Sequence, residues 1–335
     1  MSREITLRRI AREAGVSIAT ASRAIRQPDL VAPETRDRVL QLVQSYGYIP
    51  DAIAASFSSR RSGIVGLVIP TLSNSIYAAF AEALQSVLQT SGRRLLIAST
   101  GYSEELERDV VLKLVESRAE AVVLTGYERA PDLYDLLRRY EIPFVISWAI
   151  SSDPHVPSIS FDNQEAAKNA VERLLELGHQ RIGLMCGITA VNDRAAGRLA
   201  GYRAALEARG IRFDPKLVCE CNFDASEGAA GLEQLVGSSP RPTAIFCAND
   251  VLAMGALFAC QRLGLEVPRD LSIVGFDDLP ITATTWPSLS TVRVPAVEIG
   301  RMVGDAILEA VDAGRPIQSR VVATTFVARA SERQV

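Results

Sequence analysis

Few side chains in this sequence stand in a pattern that enzymes use for chemistry. The two histidines, His155 and His179, belong to no metal-binding or nucleophile-activating arrangement, and no P-loop, GxGxxG, HExxH or GxSxG motif occurs. Asp277 and Asp278 in GFDD resemble a metal-binding pair, but no other carboxylate lies near them in sequence. The five cysteines form no CxxC pair, which favours reduced, mostly buried thiols. We therefore expect no catalytic residue, metal or cofactor.

The first 50 residues indicate DNA-binding chemistry instead. Thr6 can cap a helix that runs to about residue 13, Gly15 supplies a turn, and Ser17 can cap a second helix that runs to about residue 25. Two helices joined by a short turn with glycine are typical of a helix-turn-helix, whose second helix enters the major groove. On that helix, Arg23 is the side chain able to form a bidentate pair with guanine.

A third helix should begin at Pro33 and complete a three-helix headpiece. Val39, Val43 and Tyr46 recur at helical spacing and give this helix one apolar face. Residues 51–62 (DAIAASFSSRRS) are rich in Ala and Ser and end in two arginines, so they are predicted to be a linker.

Charge is distributed unevenly along the 335 residues, although the net charge is only −3. Residues 1–62 hold ten arginines and six carboxylates, whereas the remainder holds 26 basic and 33 acidic residues. A basic module joined to an acidic body suggests nucleic-acid contact at one end. Arginine is the dominant base throughout, with only three lysines, so a bias in genome composition is an alternative cause.

The rest of the chain is predicted to be α/β. Apolar segments that favour buried strands alternate with helical patterns, as parallel sheets covered on both faces require. The segments are 64–69, 94–99, 121–125, 144–147, 181–186, 244–248 and 272–276, with a weaker strand at 217–221. Their spacing predicts two similar lobes with a ligand cleft between them, and crossovers near 158–163 and 285–295. The start of the chain lacks a signal peptide, and no apolar run would span a membrane, so we expect a cytoplasmic protein.

Several motifs together make the chain similar to the LacI/GalR family of transcriptional repressors. They are TLRRIAREAGVSIATASRAI (6–25), APETRDRVL (32–40), GYIP (47–50), LGHQRIGL (177–184), AND (248–250) and SIVGFDDLP (272–280). PTLSNSIYAAF (70–80) and TGYSEE (100–105) resemble the gluconate-repressor branch in particular. The resemblance implies a headpiece over 1–50, a hinge helix and linker over 51–62, and over 63–335 a dimerising core like periplasmic sugar-binding proteins.

The resemblance also implies which residues contact DNA. They are Thr6, Ser17, Ile18, Ala19, Thr20, Ser22, Arg23, Ala54 and Phe57. Phe57 stands where the family usually has a leucine that wedges into the minor groove, and packing against its dimer mate is the alternative role. The family usually has an acid where Arg9 stands and a serine where Ala32 stands, so two helix-capping groups are lost.

A second set of positions matches the effector contacts of the family. They are Ser73, Asn74, Tyr77, Trp148, Phe161, Arg198, Phe223, Asn249 and Asp277. The family frequently has a sugar-binding Asp where Trp148 stands, and losing that acid favours a sugar acid such as gluconate over a neutral hexose. Each residue could instead have a purely structural role, such as Asp277 capping a turn.

These observations predict a ligand-responsive repressor of sugar or sugar-acid metabolism that binds palindromic operator DNA as a homodimer. They leave open whether dimers pair into tetramers, and they predict no membrane partner. The alternative is a cytosolic sugar-binding module or α/β enzyme with an accessory helical domain. The basic helix-turn-helix distinguishes the two, because an enzyme acting on sugars has no use for it.

Overall fold

The computed structural model describes residues 6–48 and 62–335. The chain divides between Ser62 and Gly63 into two compact units. Three helices make up the described part of the first unit: α1 (Leu7–Glu13), α2 (Ile18–Arg26) and α3 (Pro33–Tyr46). Four side chains are fully buried among them: Ile10, Ala21, Ala24 and Val39. The two alanines are small enough to let the helices approach closely. The predicted helical headpiece is confirmed.

The helix starts show which capping groups act. Ser17 caps α2, since its hydroxyl accepts a hydrogen bond from the Thr20 amide at 3.0 Å. Thr6 occupies the same position before α1, but its side chain makes no capping hydrogen bond, so that part of the prediction is wrong. The residue that would complete a capping box is Arg9, which pairs with Glu13 at 3.0 Å instead. Pro33 begins α3 as expected.

The first lobe of the second unit is a four-stranded parallel sheet with strand order β2-β1-β3-β4. Its elements are β1 (Ile64–Ile69), α4 (Ser75–Gln89), β2 (Arg94–Ser99), α5 (Glu104–Glu116), β3 (Ala121–Thr125), α6 (Pro131–Arg139) and β4 (Phe144–Ser147). The central strands are buried as predicted. Strand β2 lies at an edge, and its Leu96 and Ile97 are 48% and 41% exposed. The sheet was expected to be covered on both faces, and at β2 it is not.

The second lobe is a six-stranded sheet with strand order β12-β10-β9-β8-β6-β7. Neighbouring strands in this sheet run parallel, except that β12 runs antiparallel to β10. Its strands are β6 (Ile182–Cys186), β7 (Val218–Glu220), β8 (Ala244–Cys247), β9 (Ser272–Asp277), β10 (Ser290–Arg293) and β12 (Thr325–Val327). Its helices are α7 (Asn163–Glu176), α8 (Asp193–Ala208), α9 (Ala225–Val236) and α10 (Asp250–Leu263). The two-lobed parallel α/β fold predicted from the sequence is confirmed.

The chain passes between the lobes three times. The first passage follows β5 (Ile159–Ser160), and the second leads from β10 into α11 (Ala296–Ala313), which packs on the first lobe. Gly300 permits this packing, because a Cβ there would lie 2.6 Å from the Phe80 carbonyl oxygen. The third passage runs through β11 (Arg320–Val321), which pairs with β5, and it was not foreseen in the sequence. No helix among the described residues is both long and apolar enough to cross a membrane.

Candidate functional site

Helix α2 presents most of the predicted DNA contacts on one exposed face of the first unit. Ala21 and Ala24 point into the core, which turns the opposite face outward. Thr6, Ser17, Ile18, Ala19 and Arg23 are exposed, while Thr20 and Ser22 are half-buried. Ala54 and Phe57 lie outside the described residues. The Arg23 side chain is exposed, and its guanidinium makes no ion pair with any residue in the described ranges.

The second candidate site lies between the two lobes of the second unit. A central cavity of about 20 Å³ lies there, flanked by cavities of about 290 and 440 Å³. The central cavity is lined by Asn74, Ile76, Tyr77, Trp148, Asn192, Arg194, Ala195, Arg198, Phe223, Asn249 and Asp277. Its volume suits a single water molecule, so the lobes are closed around it, and a sugar-sized molecule must widen this cavity or extend into the two flanking ones.

Asp277 is the acidic centre of this cavity. It ends β9, is only 2% exposed, and accepts a 2.6 Å hydrogen bond from Nδ2 of Asn249 at the start of α10. Burial raises the pKa of Asp277 to about 7, although the nearby Arg198 charge and hydrogen bonds from Asn74 and Asn249 act to lower it. The carboxyl can therefore gain or lose a proton near neutral pH and bind a ligand as either donor or acceptor.

Arg198 is the buried cation of the same cavity. Its Nε donates to Oδ1 of Asn163 at 2.9 Å, and its Nη1 donates to the Ala248 carbonyl at 2.5 Å. The guanidinium carbon lies 4.0 Å from the centre of the Phe276 ring, so the ring face stabilises the charge. These contacts occupy part of the guanidinium and fix its plane, which leaves the other N–H groups to face a ligand.

Trp148 closes the cavity from the first lobe and carries an unpaired donor. The side chain is 2% exposed, and its indole Nε1 has no hydrogen-bond partner among the described residues. Tyr77 and Phe161 hold the ring edge-on, with centroid distances of 4.9 and 6.0 Å. A buried N–H without a partner costs about 1–3 kcal/mol, so a ligand that supplies an acceptor there gains that amount.

Three of the predicted effector residues lie outside the central cavity or only partly in it. Ser73 lines the 440 Å³ cavity, and Phe223 lines both that cavity and the central one. Phe161 is fully buried behind Trp148 and lines none of these three cavities, so it supports the wall. The structure thus brings Asn74, Tyr77, Trp148, Arg198, Phe223, Asn249 and Asp277 together.

Three further residues belong to the cleft and were missed in the sequence. Asn192 caps α8, and Arg194 lies one helical turn before Arg198 on that helix. Both line the central cavity, and a hydrogen bond joins Arg194 to Tyr102, which lines both flanking cavities. The i, i+4 spacing of the two arginines on one face was the available signal.

The remaining candidate residues have structural roles. Asp278 makes ion pairs with Arg329 and Arg293 at 2.5 and 2.6 Å, which lower its pKa against the effect of burial. His179 is buried, with Nδ1 2.9 Å from the Thr243 hydroxyl and Nε2 3.1 Å from the Arg333 carbonyl. The described residues contain no group of three or more His, Cys, Asp or Glu side chains suited to a metal ion. The five cysteines are buried free thiols.

Comparison with protein families identifies both units. The model of bacterial regulatory proteins of the lacI family matches residues 6–51, and that of the periplasmic binding protein-like domain matches residues 171–332. The HTH-type transcriptional regulator GalS of Salmonella typhimurium is 32% identical over 306 residues, which cover 91% of this chain and 89% of that protein. The similarity thus extends over most of the length of both chains.

Solved structures that resemble this chain are also transcriptional regulators. The transcription regulator GntR from Chromobacterium violaceum superposes with a TM-score of 0.75 at 30% identity, covering 80% of this chain and 98% of that one. The lac repressor dimer bound to operator and the anti-inducer ONPF gives a TM-score of 0.84 at 25% identity, covering 99% and 100% of the two chains. The chain belongs to the LacI family and is a DNA-binding transcriptional repressor with a periplasmic-binding-protein-like core, not an enzyme.

Proposed function

We propose that this repressor controls sugar or sugar-acid metabolism and responds to a small polar effector bound between the lobes of its core. The observation that carries the proposal is the unpaired, buried indole N–H of Trp148 beside the central cavity, opposite Arg198 and Asp277. We assign effector contact to Ser73, Asn74, Tyr77, Trp148, Arg198, Phe223, Asn249 and Asp277, and to Phe161 the support of the Trp148 ring from behind. Ring faces suit a carbon skeleton, and the polar groups suit hydroxyls.

A sugar acid such as gluconate fits this cavity better than a neutral hexose. Two buried arginines, Arg194 and Arg198, line it, and a guanidinium binds a carboxylate in a bidentate manner. The indole N–H of Trp148 adds a donor where an acid would repel an anion. The similarity to a regulator named GntR supports the same branch.

The DNA partner is a palindromic operator, bound by a homodimer. We assign DNA contact to Thr6, Ser17, Ile18, Ala19, Thr20, Ser22, Arg23, Ala54 and Phe57. One headpiece as small as this buries too little surface for specificity, and a two-fold dimer reads two half-sites. The exposed apolar side chains of Leu96 and Ile97 on the edge strand β2 support association of the cores. Further pairing into tetramers is an outcome to measure.

The headpiece (1–50), the hinge and linker (51–62) and the core (63–335) would act as one coupled system. An effector that binds the closed core more tightly than the open one shifts the balance between the two. If that balance decides whether paired hinge segments can fold on DNA, effector and operator binding are linked by a coupling free energy. Such a regulator acts where the DNA is, which in a bacterium is the cytoplasm.

A thermal-shift screen of the full-length protein against sugars and sugar acids tests the effector class. A ligand that binds only the folded state raises apparent stability with the logarithm of its concentration over Kd, so at equal concentration the tighter ligand stabilises more. We expect D-gluconate to raise the unfolding temperature more than D-glucose at equal concentration. A shift with apolar compounds only would contradict the proposed cavity chemistry.

A further inference from the structure

Asp193 makes a contact between the two lobes that does not involve the central cavity. Its carboxylate oxygen Oδ2 accepts hydrogen bonds from the amides of Tyr127 and Glu128, at 2.5 and 3.1 Å. Asp193 begins α8 in the second lobe, whereas the two amides belong to the loop after β3 in the first lobe. One carboxylate thus joins the lobes directly.

The first-lobe loop is shaped to receive that carboxylate. Gly126 has φ +83°, and a Cβ there would lie 2.1 Å from Nη1 of Arg194 and 2.8 Å from Oδ1 of Asp193. Arg129 donates to the carbonyls of Thr125 and Gly126, at 3.0 and 2.6 Å, so it holds the loop from behind. Successive amides that face one anion form a concave anion-binding turn.

The second oxygen of Asp193 acts on the effector cavity. Oδ1 accepts a 2.6 Å hydrogen bond from Nη1 of Arg194, whose side chain is 9% exposed and lines the central cavity. Charge-assisted hydrogen bonds of this kind are roughly twice as strong as neutral ones. The lobe contact and the orientation of Arg194 therefore depend on the same carboxylate.

We propose that Asp193 is a positioning residue of the effector site: by binding the 126–128 loop it holds the lobes closed and fixes Arg194 toward the effector. We call this contact the Asp193 clasp. The polar contact between Asn74 and Asp277 also joins the lobes, but it lies in the cavity, where an effector competes for it. Asp193 lines the flanking 290 Å³ cavity and not the central one, so a ligand group in the central cavity does not compete for its carboxylate. The link to Arg194 rests on the proposed effector site, whereas the lobe contact does not.

Hydrogen exchange of the full-length protein measures the clasp without any effector. Asp193→Ala removes both acceptor oxygens, so the amides of Tyr127 and Glu128 should exchange at least about tenfold faster. Asp162→Ala is the matched control, because Asp162 also accepts two backbone amides, at 2.8 and 3.0 Å, but from its own helix. This control should leave the exchange rates of the amides at residues 127 and 128 unchanged. Equal exchange in Asp193→Ala and wild type would overturn the clasp.

A milder variant and a binding measurement complete the test. Asp193→Asn keeps one acceptor and removes the charge, so it should accelerate exchange less than alanine and keeps the test valid if Asp193→Ala fails to fold. By calorimetry, Asp193→Ala should bind D-gluconate about tenfold more weakly than wild type and Asp162→Ala. Faster exchange with unchanged affinity would overturn the positioning role. If wild type fails to bind D-gluconate, the proposed effector is wrong, while the exchange result still decides the clasp.

Discussion

Asn249 donates a 2.6 Å hydrogen bond to Oδ2 of Asp277 at a point where both side chains are almost fully buried. Asn249 follows β8 and Asp277 ends β9, and the carboxyl ends of these neighbouring strands meet at one edge of the second sheet. Asp277 also has φ +122°, an unusual conformation for a residue with a side chain. The second lobe therefore holds a carboxyl at the cavity at some cost to its own stability.

That cost should depend on pH. Because burial raises the pKa of Asp277 to about 7, the folded state retains a proton that the unfolded state has already lost. Stability should thus fall as pH rises from about 4 to about 7, by an amount on the order of a few kcal/mol. Asp277→Asn removes the titrating carboxyl and with it this dependence of stability on pH. Urea unfolding followed by tryptophan fluorescence measures the free energy of unfolding of both proteins at pH 5 and pH 8. The variant's stability minus that of wild type should be more favourable at pH 8 than at pH 5. A difference that is the same at both pH values would argue against the buried, titrating carboxyl.

Arg198→Ala should abolish effector binding and also destabilise the core. The substitution leaves the Asn163 and Ala248 acceptors without their donor, at about 1–3 kcal/mol for each buried group. Arg203→Ala is the control, since Arg203 lies on the same helix, is exposed and stacks on Phe213 at 4.2 Å. Calorimetry with D-gluconate should show no heat for Arg198→Ala and unchanged affinity for Arg203→Ala. Full-strength binding by Arg198→Ala would remove it from the site.

Trp148→Phe separates the role of the indole N–H from that of the ring. Phenylalanine retains an aromatic face but has no unpaired donor, so the effector-free protein should lose little stability. Effector affinity should fall about tenfold, because the acceptor on the ligand loses its partner. Trp286→Phe is the matched control, as Trp286 is 89% exposed. Equal effector affinity in Trp148→Phe and wild type would mean that Nε1 makes no bond to the effector.

Arg23 should read a base rather than a phosphate. Arg23→Ala should cost about 1–3 kcal/mol at one base pair in each half-site and relax the preference there. Arg23→Lys keeps the charge but not the bidentate geometry, so it should preserve the salt dependence and still lose specificity. Anisotropy titrations on duplexes that differ at single positions measure both effects. An unchanged sequence preference in both variants would assign base recognition to another residue.

The parts of the structure that follow from local pattern were predictable. Strands such as Ile64–Ile69 and Ala121–Thr125 are buried in parallel sheets, and their continuous apolar residues gave their exact bounds. The helix that begins at Pro33 was predictable for an equally local reason. The family resemblance rather than spacing supplied most of the cleft residues.

The parts that depend on distant contacts were not predictable. The third passage between the lobes uses β11, a two-residue strand defined only by its pairing with β5. Arg194 and Tyr102 meet across the two lobes, and no local signal brings a loop of one lobe to a helix of the other. Thr6 is a case where a local pattern was misleading, because this favourable capping residue makes no side-chain capping hydrogen bond in the folded chain.

Operator affinity measured with and without effector tests the central claim most directly. The full-length protein would first select a palindromic duplex from a random pool, and its Kd for that duplex would then be measured with saturating D-gluconate or D-glucose. Coupling energies between sites typically correspond to about 5- to 150-fold changes in affinity, so D-gluconate should change the Kd by at least fivefold in wild type and not in Arg198→Ala. An operator Kd that neither compound changes would contradict a sugar-acid effector in the cleft, and failure to select any palindrome would contradict the dimeric reading of DNA.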